Sequence, residues 1–190
     1  MDLTPLSIEG AWLAESPIWE DDRGNFREWF VRAEVLSKTG IDFSVQQANI
    51  SINKKGVIRG IHYSLAPEGQ AKWITCVGGR IIDVIVDIRP NSPTFKKIEY
   101  VKLSAEEGKA VLVGSGLGHG FISIEDQSVV SYLLSSPYSP KTEYEINPLD
   151  PGLKINWESE IINKPEILMS PKDSASPTLE ERNLEGLLPK

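Results

Sequence analysis

The stretch from Val57 to Ile88, "VIRGIHYSLAPEGQAKWITCVGGRIIDVIVDI", decides the fold of this chain. It contains three short apolar runs separated by turn residues, a pattern typical of β-strands. In the last run, Asp83 and Asp87 are four positions apart. Because side chains alternate between the faces of a strand, the two aspartates share one face. Isoleucine and valine occupy the positions of the other face. The stretch therefore predicts three strands that form part of a sheet core.

Further runs of this kind continue the β pattern along most of the chain. The predicted strands are Val45–Asn53, Val57–Tyr63, Lys72–Val77, Arg80–Ile88, Ile98–Leu103, Ala110–Val113, Gly120–Ile124 and Val129–Leu134. Gly78-Gly79 predicts a hairpin, and only Arg32–Gly40 and Ser176–Leu184 have helical patterns. This spacing of strands predicts an all-β sandwich or barrel, and the lack of alternating strands and helices disfavours a Rossmann sheet.

Composition narrows the class of protein. The chain has 190 residues, 40% of them hydrophobic and 25% charged, which predicts a single globular domain spanning 1–190. The Pro-, Asp- and Asn-rich segment from about 137 to 190 is interpreted as a wrap over the β core. A net charge of -7 without a basic cluster disfavours nucleic acid as a partner. No apolar run is long enough for a membrane span, and the single cysteine, Cys76, suits a reducing cytoplasm.

Three basic side chains, those of Arg59, His62 and Lys72, lie in the most β-rich part of the chain. Burying such groups without partners costs roughly several kcal/mol each, so a solvated cavity between strands would explain them. Arg59 and His62 would point to opposite faces of a regular strand. Gly60 between them would permit a β-bulge that brings both side chains to the cavity.

The second histidine, His119, follows the glycine-rich segment "GSGLG", which we interpret as a flexible turn that brings His119 close to another strand. The segment matches neither the phosphate-binding loop nor the dinucleotide fingerprint. Two isolated histidines without an H-x-H pair predict no metal site. Asp83 and Asp87 are interpreted as structural, as partners of Arg59, for example.

Seven segments together resemble one family, the RmlC-type dTDP-4-dehydrorhamnose 3,5-epimerases. In order, they are "DDRGNFREWF", "QQANIS", "RGIHY", "QAKWITCVGGRIIDVIVDIRPNSPTF", "GLGHGF", "SYLLSSPYSP" and "SPKDSASP". The resemblance runs from about Glu20 to Glu181. One departure is "SYLLSSPY", where many members carry a "YKTT"-type segment. It keeps the tyrosines and alters the pocket floor.

The resemblance implies a metal-free, cupin-type jelly roll with short peripheral helices. It implies no cofactor and a homodimer in which strands are exchanged between subunits. The implied substrate is dTDP-4-dehydro-6-deoxyglucose. The implied catalytic residues are His62 as base, Tyr132 as acid, Asp173 as partner of the base, and Lys72. The implied substrate-binding residues are Arg23, Phe26, Glu28, Gln47, Asn49, Arg59, His119, Tyr138, Glu143 and Lys172. Arg23, Phe26 and Glu28 are expected to serve the site of the partner subunit.

The chemistry of such a substrate agrees with these residue types. A ketone at carbon 4 acidifies the hydrogens on carbons 3 and 5, and a neutral imidazole is a suitable base near neutral pH. Taken alone, Tyr132 would be an ordinary strand aromatic and Asp173 a turn aspartate. Four other functions stay open: a 3- or 5-epimerase of an antibiotic pathway, a 3,4-ketoisomerase, a non-catalytic cupin that binds a sugar nucleotide, and a metal-dependent cupin oxygenase.

Overall fold

A computed structural model describes residues 1–67, 69–157 and 165–190. The strands are β1 (Asp2–Pro5), β2 (Ala11–Glu15), β3 (Trp19–Asp21), β4 (Gly24–Phe26), β5 (Gln47–Asn53), β6 (Ile58–Ser64), β7 (Lys72–Gly78), β8 (Arg80–Asp87), β9 (Ile98–Ser104), β10 (Lys109–Val113), β11 (Leu117–Ser123), β12 (Ser128–Leu134) and β13 (Glu143–Glu145). The helices are α1 (Arg32–Thr39), α2 (Pro171–Ser174) and α3 (Leu179–Leu184).

Two antiparallel sheets face each other. A six-stranded sheet has the order β1-β2-β10-β7-β12-β5, and a five-stranded sheet has the order β13-β6-β11-β8-β9. From β5 to β13 the chain passes back and forth between the two sheets, as in a jelly roll, and β3 and β4 form a separate hairpin. This arrangement confirms the all-β prediction.

The predicted hairpin at Gly78-Gly79 is wrong. β7 belongs to the six-stranded sheet, where it lies between β10 and β12, whereas β8 lies between β9 and β11 in the other sheet. Both strands are buried on both faces along most of their length, which is typical of strands in the interior of a sheet. With neighbours on both sides, neither has an edge free for the other, so the two glycines carry the chain from one sheet to the next.

Apolar side chains fill three layers. The first layer lies between the sheets and includes Ile74, Ile85 and the buried side chain of the single cysteine, Cys76. The second covers the outer face of the five-stranded sheet, and the third covers the outer face of the six-stranded sheet beneath α1. Odd-numbered residues of β8 therefore face the space between the sheets, so Asp83 points inward.

All eight predicted strands and both predicted helices are present. α1 ends at Gly40, which adopts the left-handed conformation, and α3 begins with a capping box between Thr178 and Glu181. β1 to β4, β13 and α2 were missed, because strands of three to five residues and a one-turn helix have too few positions to show a period. None of the helices in the described parts of the chain is long and apolar enough to cross a membrane.

The C-terminal segment packs on the outer face of the five-stranded sheet. Ile146, Trp157, Leu179 and Leu188 join its apolar layer. The hydroxyl of Tyr63, on β6, donates a hydrogen bond of 2.8 Å to the carbonyl of Leu187. Residues 158–164 of the predicted wrap lie outside the described residues.

At the far end of β8, Asp87 organises the loop that leads to β9. Its carboxylate accepts hydrogen bonds from Arg89, Ser92 and Thr94. Burial by itself would raise the pKa of Asp87, but these bonds outweigh it and hold that pKa well below the ordinary range. Asp87 is therefore a structural carboxylate, as the sequence indicated, although its partner is Arg89 rather than Arg59.

We expect Asp87→Asn to lower the free energy of unfolding by roughly 2 kcal/mol at neutral pH, because Arg89 loses its charged partner. A carboxyl whose pKa is depressed in the folded state stabilises the fold above its unfolded pKa. The difference from the wild type should therefore shrink as the pH falls below the ordinary aspartate value of 3.8. Urea titrations across this range measure it. Asp21→Asn, at an exposed ion pair, is the control and should change little; a gap that stays constant with pH would contradict the role of the Asp87 charge.

Candidate active site

A cavity of about 360 Å³ lies between the two sheets, next to the apolar layer that they enclose. Its size suits a small-molecule site. Its walls come from β5, β7 and β12 on one side and from β6, β11 and β13 on the other. It is lined by Gln47, Asn49, Arg59, His62, Gln70, Lys72, His119, Phe121, Tyr132, Leu134, Tyr138, Glu143, Tyr144, Glu145, Ser170, Lys172 and Asp173.

A β-bulge places Arg59 and His62 on the same wall. On β11, His119 lies opposite His62 and Phe121 lies opposite Arg59, so β6 carries one more residue than its partner over this interval. Gly60 has a φ of +133°, and a Cβ built on it would lie 2.6 Å from the Cα of Gly120. Only glycine fits such a close approach of two backbones. The expected bulge at Gly60 is confirmed.

His62 is paired with a carboxylate from the C-terminal segment. Its Nε2 lies 2.8 Å from Oδ1 of Asp173, which is buried at the start of α2. Burial by itself would raise the pKa of Asp173, but contacts with His62, Ser170 and Lys172 hold the pKa below its ordinary value. Because an ionised carboxylate can only accept hydrogen bonds, Nε2 of His62 carries the ring proton and donates a hydrogen bond to Asp173. The lone pair of Nδ1 is then free to act as a base.

Lys72 is a buried cation that lines the cavity. Its Nζ donates a hydrogen bond of 3.0 Å to the carbonyl of His62, and only 7% of the residue is exposed. Burial lowers the pKa of Lys72 to about 8, although the charges of Glu143 and Asp83 act in the opposite direction. The site therefore holds a positive charge that can be lost within the physiological range of pH.

Tyr132 reaches the same cavity from the opposite sheet. It lies on β12, with Asn49 opposite it on β5. Burial raises the pKa of Tyr132 above its ordinary value, and the nearby charge of Arg59 acts against that rise. Its hydroxyl is therefore protonated at neutral pH and can donate. A candidate base and a candidate acid thus line one cavity from two different sheets.

His119 lies inside β11, not in a flexible turn. It is opposite His62 on one side and Ile85 of β8 on the other, so the expectation of a close strand is confirmed. Its Nε2 lies 2.8 Å from Oδ2 of Asp83. Asp83 thus pairs with His119 and not with Arg59, whose Nε donates to Oδ1 of Asn53.

Polar side chains line the mouth of the cavity. Oε1 of Gln47 accepts from the backbone of Tyr138 at 2.8 Å, and the same glutamine donates to Asn49 at 3.0 Å. Lys172 forms an ion pair with Glu145. The mouth therefore offers an exposed aromatic ring, that of Tyr138, beside two amides and an exposed lysine.

Three of the predicted binding residues lie elsewhere. Arg23, Phe26 and Glu28 are exposed on or just after the β3–β4 hairpin and do not line the cavity of their own chain. Arg23 is bound to Asp21 there. The other predicted site residues, which come from eight separate segments of the chain, all line the cavity.

The sequence reasoning missed six lining residues: Gln70, Phe121, Leu134, Tyr144, Glu145 and Ser170. Gln70 donates a hydrogen bond of 2.7 Å to Glu143 and so orients a predicted binding residue. Ser170 caps α2, accepting from the backbone of Asp173 at 3.0 Å. The S-P pair at this helix start was the one signal in the sequence that could have found the cap.

Clusters of three or more histidine, cysteine, aspartate or glutamate side chains that could hold a metal ion do not occur among the residues that the structure describes. The carboxylates of the cavity are instead engaged with His62, Gln70 and Lys172. The arrangement is suited to moving protons.

Known proteins resemble this chain in sequence and in fold. A family profile described as dTDP-4-dehydrorhamnose 3,5-epimerase matches residues 5–181. The chain belongs to the dTDP-4-dehydrorhamnose 3,5-epimerase family. The resemblance and the enzyme class, an isomerase that epimerises carbohydrates, are thereby confirmed.

Individual family members illustrate the range of activities. A dTDP-4-dehydro-6-deoxyglucose 3-epimerase from Streptomyces sp is 47% identical and aligns with 97% of this chain and 92% of its own. A dTDP-4-dehydrorhamnose 3,5-epimerase from Mycolicibacterium smegmatis is 40% identical over 100% of this chain and 91% of its own. The crystal structure of ChmJ, a 3'-monoepimerase from Streptomyces bikiniensis in complex with dTDP-quinovose, superimposes with a TM-score of 0.92 at 45% identity, covering 98% of this chain and 92% of that one. The jelly-roll fold expected from the resemblance is that of the family.

We expect Lys72→Met to raise the free energy of unfolding by about 1–3 kcal/mol near neutral pH, because a well-packed apolar side chain replaces a desolvated charge. The gain should shrink between about pH 8 and 10.5, where the unfolded lysine holds a proton that the folded one has lost. Chemical denaturation of both proteins across this range measures it. Lys109→Met, at a lysine less buried than Lys72, is the control. A loss of stability in Lys72→Met would contradict the stated cost of the buried charge.

Proposed function

We propose that this chain is a dTDP-4-dehydro-6-deoxyglucose 3,5-epimerase, which inverts carbons 3 and 5 of a 4-keto sugar to give dTDP-4-dehydro-L-rhamnose. The observation that carries the proposal is the shared cavity. A histidine–aspartate pair, a buried lysine and a protonated tyrosine line it from different strands. This set provides a base, a positive charge and an acid, which is what epimerisation next to a ketone requires.

In the first half of the reaction, His62 is the base. Nδ1 takes the proton from carbon 3 or carbon 5, and the electrons of the broken C–H bond move to the carbon 4 oxygen as an enolate. The carboxylate of Asp173 stabilises the imidazolium that forms and fixes the ring orientation. Lys72, protonated, stabilises the enolate oxygen, and the low dielectric around it strengthens that interaction.

In the second half, Tyr132 returns a proton to the opposite face of the same carbon. The O–H bond breaks as the new C–H bond forms, the ketone is restored, and the imidazolium and the phenolate regain their starting states through proton exchange with solvent. No atom is oxidised or reduced, so the reaction has no need of a redox cofactor. His119 contacts the sugar beside Lys72.

The nucleotide part of the substrate lies toward the mouth of the cavity. Arg59 and Lys172 supply positive charge for the diphosphate. Gln47, Asn49 and Glu143 supply hydrogen bonds, and Tyr138 is exposed there for stacking on the thymine. The dTDP-quinovose held by ChmJ supports a dTDP-linked sugar as the ligand.

A single epimerisation is the second candidate activity, because the Streptomyces sp relative at 47% identity is a 3-epimerase. Both activities use the same base and acid and differ in whether the ring also presents carbon 5 to His62. The isotope experiment that follows separates them.

In deuterated buffer, the wild-type protein should incorporate deuterium at carbons 3 and 5 of dTDP-4-dehydro-6-deoxyglucose, as read by proton NMR and mass spectrometry. We expect His62→Ala to fold normally and to lose exchange at both carbons by at least about a hundredfold, because the proposed base is removed. Exchange at carbon 3 alone in the wild type would indicate the 3-epimerase. Tight dTDP-sugar binding without any exchange would indicate a non-catalytic protein.

Tyr132→Phe is the matched comparison for this assay, because it removes one hydroxyl from the same cavity and leaves His62 in place. In this variant, His62 should still remove the proton from the substrate, while inversion of the carbon should slow. Unchanged epimerisation in this variant would remove Tyr132 from the mechanism.

We further propose that the active form is a homodimer with exchanged strands. β5 is an edge strand whose polar residues face the cavity, while Ile50 and Ile52 on its outer face are 71% and 62% exposed. An open edge with an apolar outer face is suited to a second copy of the chain. The β3–β4 hairpin, with Trp19 and Phe26 exposed, would then reach the cavity of the partner subunit.

We expect Ile50→Lys with Ile52→Lys to yield monomers in sedimentation velocity experiments, because charge replaces the apolar face. The monomers should also bind dTDP more weakly in calorimetry, since the hairpin residues of the partner subunit are lost. Leu184→Lys, at a leucine that is 81% exposed on α3, is the control and should leave both quantities unchanged. A double variant that remains dimeric would place the interface on another surface.

A further inference from the structure

Asp83 is the one carboxylate on the inner face of β8 that lies beside the cavity. The residue is 0% exposed, and its neighbours across β9 and β11 are Val101 and Phe121. A carboxylate buried so completely costs several kcal/mol unless other groups compensate its charge. Its contacts therefore bear on the function of the site.

Among the described residues, the only hydrogen bond of the Asp83 side chain is to His119, which lines the cavity. Oδ2 lies 2.8 Å from Nε2 of His119, whereas Oδ1 has no hydrogen-bonding partner in the described parts of the chain. Asp87, on the same face of the same strand, contrasts with it, because both of its oxygens are engaged by loop residues. In a carboxylate with a purely structural role, such as Asp87, we expect both oxygens to be hydrogen-bonded.

Lys72 is held in the same part of the site, because its Nζ donates to the carbonyl of His62, and His62 lies opposite His119 across β6 and β11. Burial lowers the pKa of Lys72, and the negative charges of Glu143 and then Asp83 partly restore it. The charged and titratable groups that face Asp83 are thus His119 from β11 and Lys72 from β7, and Glu143 faces Lys72 in turn. One buried charge is coupled to two groups that line the cavity.

We propose that Asp83 is a positioning residue of the epimerase site, which holds His119 in one orientation with its Nε2 protonated and keeps Lys72 in its cationic form. The part that concerns Lys72 rests on the proposed function. With Nε2 directed at Asp83, only Nδ1 of His119 remains available to the substrate. The sugar therefore meets an imidazole of fixed polarity next to a lysine that is charged at neutral pH.

The orientation of His119 is tested on the unmodified protein. The chain has two histidines, so a nitrogen-15 spectrum of the imidazole rings contains two sets of signals, and His62→Ala assigns them. We expect His119 to show a proton fixed on Nε2. A bare Nε2, or a rapid average of the two tautomers, would overturn this part of the proposal. The measurement needs neither a variant of Asp83 nor a substrate.

The effect on Lys72 is tested with Asp83→Asn, which keeps the shape and removes the charge. We expect kcat to fall on the order of ten- to a hundredfold, the usual cost of losing the carboxylate that orients a functional histidine. KM should change little. The decline of kcat at alkaline pH should begin at lower pH than in the wild type, because Lys72 loses its proton more easily.

Asp87→Asn is the matched control, with a carboxylate removed from the same face of the same strand away from the cavity. It should lose stability and keep the wild-type pH profile of kcat. An unshifted profile in Asp83→Asn would overturn the proposal for Lys72 while leaving the epimerase function intact. If the wild type has no epimerase activity, the proposed function fails, and the nitrogen-15 spectrum still decides the role of Asp83 toward His119.

Discussion

The close approach of β6 and β11 at Gly60 and Gly120 is the constraint on which the site depends. A side chain at either position would strike the backbone of the other strand. Because the two strands can touch there, β6 accommodates an extra residue, and Arg59 and His62 both face the interior. Without this bulge, His62 and Arg59 would lie on opposite faces of the sheet, and only one of them would line the cavity.

The space between the sheets has two chemically different halves. One half is packed with aliphatic side chains and stabilises the fold. The other half is the cavity, which is lined by polar and charged side chains. Burial of the Lys72 charge there costs stability, and the packing of the first half must offset that cost. Proteins commonly place such costs where chemistry takes place. The two buried aspartates of β8 mark this division, since Asp87 belongs to a self-contained loop and Asp83 turns toward the reacting groups.

Much of this arrangement was predictable from the sequence. The period-two runs located eight strands, and parity at Gly60 identified the bulge, because both follow from local geometry. Which sheet each strand joins was not predictable at Gly78-Gly79, since a turn signal does not say whether the next strand pairs with the last. The partner of His119 was missed for a related reason. In the sequence, Asp83 is simply one of the alternating residues of its strand. Its contact with His119 depends on which strand lies next to β8, and the sequence pattern does not show that.

His62 and Asp173, which form a hydrogen-bonded pair in the cavity, are far apart along the chain, on β6 and α2. During synthesis the jelly-roll strands leave the ribosome long before the short helix that carries the carboxylate. A chain interrupted after β13 would contain the imidazole, the lysine and the tyrosine, yet it would lack the Asp173 carboxylate that pairs with His62. The cavity therefore gains its His62–Asp173 pair only after α2 has been synthesised and has packed against β6.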